Sequence, residues 1–402
     1  MKSTNEAEKR STTFTNALGL GFVGVFAYLA SYYIRNLLSV AAPGMQEAGA
    51  YTAELIGTLS SVYFLLYAIG QFVNGLVGDK INPKYMISIG LAVTATAITA
   101  FPLVRFWWMQ VACFAMMGIG LSMLRGPIMK MVSENLNKDY SRVICTILSA
   151  VSFVGPLVAG ALAIIFEWDM MFIVAGLTTY VIAAVSFIFL NVFERKGMFV
   201  FHSNKEVKLR DYLQIFKLDR FVFYMLVGVI VEITGSAITF WIPTYLSDAL
   251  RLDNVMTNVL YWVITVVTCI APFFALFVFK LIKEKDIVML RGGFFFAASA
   301  FVGMIFVSDI YAKIVFLTAA KFFLACCSAV LWSIYIPDMG KTGKVSSING
   351  VINCMGYLSA SVASKAFSML LGLSWTGVIL LWGGISGLGL IASLMVKQKK
   401  SA

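Results

Sequence analysis

The sequence predicts an all-α membrane protein: twelve transmembrane helices in two six-helix bundles, with both termini in the cytoplasm. Three observations carry that reading. The composition lacks the charge a water-facing surface needs, apolar stretches of spanning length recur along the whole chain, and the basic residues crowd into alternate connections. Of 402 residues, 60% are hydrophobic and 13% charged, and the mean hydropathy is +0.87. Soluble domains have about 45–50% apolar and about 25% charged residues. A secreted disulfide scaffold, a disordered tail protein, an ordinary cytosolic enzyme and a receptor with one anchor are all excluded.

A bilayer core takes about 20 apolar residues per helix. The chain opens with a polar tail, 1–15, which is expected to be cytoplasmic; no cleavable signal peptide is expected, because the first apolar run is long enough to span. The N-terminal bundle, 16–193, supplies stretches at 16–43, 54–78, 84–103, 106–132, 142–166 and 168–193. Residues 194–220 then interrupt the pattern with Glu194, Arg195, Lys196, Lys205, Lys208, Arg210, Lys217 and Arg220, and read as a cytoplasmic linker. The C-terminal bundle, 221–396, follows with stretches at 221–248, 256–281, 286–307, 311–335, 345–371 and 374–396, and a cytoplasmic tail, 397–402, closes the chain.

Orientation follows from charge. With the N-terminus inside, 24 Lys and Arg fall in the tails, in the connections after spans 2, 4, 6, 8 and 10, and at the span ends beside those connections. Three fall outside: Arg105, Arg251 and Lys313. The positive-inside rule therefore places both termini in the cytoplasm. The same asymmetry accounts for nearly all of the net charge of +11, so no nucleic-acid partner is needed to explain it. All six cysteines lie in apolar runs without metal or redox spacing and read as packing residues. His202, the single histidine, reads as a solvated linker residue. No metal and no cofactor is expected. An enzyme would need a nucleophile–base pair or a metal cluster, and an ATP-driven pump a phosphate-binding Gly-x-x-x-x-Gly-Lys-Ser/Thr loop; the sequence offers none of these.

The halves echo each other. Arg35 precedes Pro43 by eight positions in span 1, and Gly235 precedes Pro243 by eight in span 7. Span 5 begins Arg142-Val143 with Gly155 thirteen on; span 11 begins Lys344-Val345 with Gly356 twelve on. Duplicated halves are how many secondary transporters are built, with the substrate site near mid-membrane.

Four basic residues lie within spans, Arg35, Arg125, Lys321 and Lys365, and Glu232 is the one acid well inside a span. A charge at a helix centre costs about 2.5–3.5 kcal/mol on insertion scales, so each needs a partner, a wet cavity or a function. Arg35, Arg125, Glu232 and Lys321 occupy spans 1, 4, 7 and 10, one to each, as a three-helix repeat predicts if equivalent helices line one cavity. Each sits on a polar or small-residue stripe: Tyr28, Tyr32, Arg35 and Ser39; Gly118, Ser122 and Arg125; Gly228, Glu232, Ser236 and Thr239; Thr318, Lys321 and Ser328. Span 2 adds Tyr63, Tyr67, Gln71 and Asn74, and span 11 adds Ser346, Asn349, Asn353 and Tyr357. Such faces fit an aqueous pathway, and the small polar residues equally fit interhelical hydrogen bonding. Lys365, near the outer end of span 11, reads as a snorkelling lysine.

Three cations against one acid favour a small anion as cargo. Arginine offers a planar fork for carboxylate or phosphate, while lysine acts as a movable point charge. Arg35 and Arg125 are the expected grip, with Tyr32, Tyr67 and Lys321 assisting. Glu232 is expected to pair with a cation and release it, or to carry a proton.

The run Gly75-Leu-Val-Gly78-Asp79-Lys80-Ile-Asn82-Pro83-Lys84 resembles the Gly-x-x-x-Asp-Arg/Lys loop of the major facilitator superfamily. Its Asn-Pro-Lys ending is similar to that of the organophosphate:phosphate antiporter branch. In this loop Asp79 is suited to cap and pair across a helix end, Lys80 and Lys84 to hold a cytoplasmic gate, and Gly75 and Gly78 to allow close helix approach. Tyr32-Tyr33-Ile34-Arg35 followed by Pro43 resembles span 1 of that branch, whose arginine binds substrate phosphate. Trp241 through Leu246 resembles the end of its span 7, and Gly350 through Tyr357 its span 11. The chain departs from the branch at three places: Gly235 stands where a second arginine completes the phosphate clamp, Asn36 where a lysine follows the first, and Ser152 where span 5 carries histidine. Arg125 and Lys321 are the candidates to supply the missing charge.

A sister branch, the anion:cation symporters of sugar acids, is similar at Leu38 through Pro43 and at Asn353, which matches its substrate-contacting asparagine. That branch often has an acid in span 4 near the position of Arg125, and Glu232 is a displaced candidate for the role. The resemblance implies a secondary transporter of a small organic anion, phosphate ester or carboxylate, with proton or phosphate as co- or counter-substrate. It implies a monomer in a bacterial inner membrane, or else a sensor of a phosphorylated metabolite that kept the fold.

Overall fold

The computed structural model describes residues 14–49, 51–201, 213–371 and 374–396. His202, Lys205, Lys208 and Arg210 lie outside the described residues, as do the side chains of Pro43, Pro243 and Lys365. Every regular element described is helical. The long helices are α1 (Phe14–Glu47), α2 (Ala53–Gly78), α3 (Pro83–Ala100), α4 (Trp107–Ser122), α5 (Arg125–Asn135), α6 (Lys138–Ile165), α7 (Trp168–Arg195), α8 (Phe221–Thr244), α9 (Asn254–Leu281), α10 (Asp286–Phe306), α11 (Ile310–Ala329), α12 (Val345–Leu371) and α13 (Trp375–Met395). Among the described residues, eleven helical stretches are long and apolar enough to cross a membrane. The chain is a multi-pass membrane protein. Helix α12 covers the remaining expected stretch, 345–371, and its side chains from 361 on fall outside the description.

Polar residues just before the apolar runs start the helices. Thr52 accepts a hydrogen bond from the Leu55 amide at 3.3 Å, Asn82 from Lys84 at 3.0 Å and Asn137 from Tyr140 at 2.9 Å. Asp253, Asp309 and Ser374 do the same for α9, α11 and α13. Each such cap satisfies one orphan amide and contributes about 1 kcal/mol. Asn82 and Pro83 together reproduce the preferred cap followed by proline at the first helical position.

Expected spans 4 and 10 are interrupted next to a proline. Span 4 breaks at Met123 and Leu124 into α4 and α5. Pro127 is the cause: its ring would clash with the carbonyl four residues back, that of Met123, and it has no amide to offer it. Span 10 ends its α-helical part at Ala329 and passes through a wider π-helical turn, Val330–Tyr335. Pro337 removes the bond to Ser333 in the same way. An uninterrupted apolar run had hidden both breaks.

The chain divides into two compact units: Met1–Glu206 with Ile336–Ser347, and Val207–Tyr335 with Ile348–Ala402. In the first, α3 packs on α4 and α7, α2 on α4, and α1 on α6 and α7. In the second, α10 packs on α11 and α13, α9 on α11, and α8 on α13. The third, fourth and sixth spans of each unit thus keep the same partners.

Candidate functional site

In the first unit, α1 is long enough to place Tyr28, Tyr32 and Arg35 on one face, at spacings of four and three. The Tyr28 hydroxyl donates to the Tyr32 hydroxyl at 3.4 Å, and their rings meet edge-on, 5.0 Å between centroids. Helix α2 brings Tyr63, Phe64 and Tyr67; the Tyr63 and Tyr67 rings stack 5.7 Å apart. The guanidinium of Arg35 lies over three of these rings, 5.3 Å from Phe64 and 5.8 Å from both Tyr32 and Tyr67. Arg125, 6% exposed, lies 5.8 Å from the Tyr28 ring, and Tyr67 is within electrostatic reach of both arginines. Two cations from different spans therefore share one tyrosine cluster. Aromatic faces stabilise a guanidinium through their negative π-face.

Close helix approach makes the cluster possible. A Cβ on Gly155 of α6 would sit 2.7 Å from the Tyr32 carbonyl carbon, and one on Gly118 of α4 would sit 2.7 Å from the Tyr63 carbonyl oxygen. Tyr33, one residue on, turns away: its hydroxyl is 2.7 Å from Thr179 Oγ1 and ties α1 to α7. The Asn74 amide donates to Ser122 Oγ at 2.6 Å just before the helix break that precedes Arg125. Ser152 donates back to the Ser149 carbonyl of its own helix at 2.6 Å.

The second unit is poorer in such groups. Lys321, 5% exposed, has its ammonium 5.7 Å from the ring of Tyr261 and near the thiol of Cys269, both on α9. Glu232 faces α12, where a Cβ on Gly356 would meet its Cγ at 2.8 Å. Asn349, Asn353 and Tyr357 are buried along one face of α12. A Cβ at Gly235 meets nothing within 4 Å, so that position borders open space.

The Gly75–Lys84 loop builds a separate, buried ionic cluster in the first unit. Asp79, fully buried, accepts hydrogen bonds from the amides of Ser346 and Ser347, both at 3.1 Å, and from the Ser347 hydroxyl. It thereby caps the start of α12. Lys130 stands 3.6 Å from Asp79 and 3.6 Å from Glu134, and donates to the Asp79 carbonyl at 3.1 Å. Burial pushes the Asp79 carboxyl above the ordinary carboxylate range, against the opposing pull of Lys130 and the Ser347 and Ser346 donors. Gly78 lets Ser346 approach, and the Gly75 carbonyl accepts from Ser347 at 3.4 Å. Nearby, Arg142 donates to both oxygens of Asp338 at 3.1 Å. Lys84 is directed elsewhere: it pairs with Glu194, which also accepts from Asn82 at 2.8 Å, and so ties the start of α3 to the end of α7.

Sequence reasoning missed Phe64, Lys130 and Tyr261, which are apolar or connection residues in a linear reading. For Phe64 the available signal was its spacing of three before Tyr67. It also missed Arg220, which pairs with Asp286 at 2.9 Å while Tyr224 donates to the same carboxylate at 2.6 Å.

The model of the Major Facilitator Superfamily matches residues 24–364 of this chain. The chain belongs to that superfamily. It is 28% identical over 158 residues to the membrane sensor protein UhpC of Salmonella typhimurium, covering 37% of this chain and 35% of the relative. It is 31% identical over 94 residues to the glycerol-3-phosphate transporter of Haemophilus influenzae, covering 23% and 20%. Those matches span about a third of the relative's length or less. The match to the hexuronate transporter of Bacillus subtilis, 21% identical over 407 residues, covers 92% of both chains. Among solved structures, the superfamily transporter FucP in the outward conformation aligns with a TM-score of 0.74 at 12% identity, over 97% of this chain and all of that one, a likeness of fold.

Proposed function

We propose that the chain is a secondary active transporter that moves a small organic anion across the membrane by alternating access. Twelve spans and two cytoplasmic termini are part of the proposal. Arg35 and Arg125 grip the acidic group within the tyrosine cluster and Tyr32 and Tyr67 orient it; in the second unit, taken by itself, Lys321 and Asn353 are the proposed substrate-binding residues. Glu232 couples transport to a proton or to the release of a paired cation, and Gly75, Asp79, Lys80 and Lys84 serve gating.

The observation that carries the reading is the meeting of Arg35 and Arg125 over one set of rings. Two guanidinium groups within electrostatic reach of one tyrosine suit a phosphate or carboxylate group better than any neutral solute. The relatives add that phosphate esters and hexuronates are handled by proteins similar to this one. The anion is therefore proposed to be a phosphate ester or a sugar acid.

Counterflow in proteoliposomes with glycerol phosphates, sugar phosphates, sugar acids and dicarboxylates tests this. One class should exchange well above empty vesicles. Exchange against internal phosphate identifies an antiporter, and dependence on an imposed pH gradient a symporter. Saturable binding of one of these anions without any counterflow would contradict transport and assign a sensor instead.

A further inference from the structure

At the end of the first unit away from the Asp79 cluster lies a cavity of about 510 Å³, lined in part by Tyr51, Pro102, Arg105, Trp107, Gln110 and Trp168. These residues come from the α1–α2, α3–α4 and α6–α7 connections and the helix ends beside them. Its walls are built. The Tyr51 ring stacks on Phe101 at 5.9 Å and stands at 85° to Trp168, 5.8 Å between centroids. Gln110, 9% exposed, donates to the Val104 carbonyl at 2.9 Å and so fixes the connection that carries Arg105. Next to these lining residues in the chain, Leu103, Phe106 and Trp108 are 66%, 74% and 78% exposed. Large apolar and indole side chains left bare beside an arginine at a helix end are what a membrane interface accommodates.

Charge narrows the occupant. Arg105 is the one basic residue in these three connections, while Glu54 adjoins the lining residue Leu55, and Glu167 and Asp169 flank Trp168. With one guanidinium in the lining and three carboxylates next to lining residues in the chain, the local charge balance disfavours a purely anionic head. A head with both signs fits: its phosphate on Arg105, its ammonium against perpendicular aromatic walls, the arrangement that recognises ammonium cations. The exposed apolar rim is left to the acyl chains.

We propose that this cavity holds the headgroup of a zwitterionic, ammonium-bearing phospholipid, with Arg105 on the phosphate and Tyr51, Trp107 and Trp168 around the ammonium. The site is separate from the arginine–tyrosine cluster, and its test does not depend on transport.

The test uses the full chain, delipidated in detergent and mixed with equal amounts of phosphatidylethanolamine and phosphatidylglycerol of the same chain length. Native mass spectrometry reads the lipid carried. The wild-type protein should carry phosphatidylethanolamine in about tenfold excess, and Trp168→Leu and Arg105→Gln should each reduce that lipid about threefold or more. Trp108→Leu, on the rim, should leave the preference unchanged. Equal retention of both lipids overturns the proposal, as does undiminished retention by Arg105→Gln, an exposed substitution that leaves the fold intact. Displacement of the lipid by soluble phosphoethanolamine at millimolar concentration would assign the cavity to a free solute and also overturn it.

Discussion

In the first unit Pro127 splits the fourth span, and Arg125 begins the second piece, buried beside Tyr28. In the second unit the corresponding tenth span loosens into a π-helical turn ahead of Pro337, while Lys321 sits in the regular helix well before it. The helix-interrupting device is shared; the charge placement is not. Of the cations Arg35, Arg125 and Lys321, one unit gathers the two guanidinium groups against four aromatic rings, the other the Lys321 ammonium beside the Tyr261 ring, with the Glu232 carboxylate against α12. A similar divergence holds at the helix ends. Lys84 ties α3 to α7 through Glu194, whereas Arg291 ties α10 to α13 by donating to the Ser393 and Val396 carbonyls at 3.1 and 2.8 Å. The two units share their packing and differ in their charges, and the proposed anion grip lies in the first.

That asymmetry can be broken from either side. Arg35→Ala removes the cation that three rings hold, and loss of one partner of a desolvated charge pair costs about 2–5 kcal/mol, so counterflow of the preferred anion should fall at least about 30-fold. Arg125→Lys keeps the charge and loses the fork; uptake should drop about tenfold, with the apparent affinity bearing most of the change. In Gly155→Val the added side chain meets the α1 backbone at Tyr32, an overpacking worth about 1–3 kcal/mol that should shift the cluster and lower uptake about fivefold, although Gly155 touches no cation. Lys321→Met fits the same buried space and should cost the least, about threefold in uptake. A Lys321 effect larger than that of Arg35 would reverse the assignment of the two units.

The helical stretches were legible because a bilayer demands long apolar runs, and the caps at Thr52, Asn82, Asn137 and Asp253 mark their starts in the chemistry of single residues. The face carrying Tyr28, Tyr32 and Arg35 was legible from helical spacing. The breaks at Pro127 and Pro337 were not read, since hydropathy is blind to a missing amide inside an apolar run. The meeting of Arg125 with Tyr28, and of Arg35 with Phe64, depends on which helices touch. A phenylalanine in a membrane span carries no local sign of whether it faces lipid or a cation. Lys84 reads as a gate residue in its loop and is claimed by Glu194, a partner 110 positions away.

The most direct test of a shared grip is a double-mutant cycle. Binding of the anion that exchanges best in counterflow would be measured to wild-type protein, Arg35→Lys, Arg125→Lys and the double variant. If both arginines hold one anion, the two losses should deviate from additivity by about 1 kcal/mol or more. Losses that add to within about 0.3–0.5 kcal/mol would show two independent sites and contradict the account.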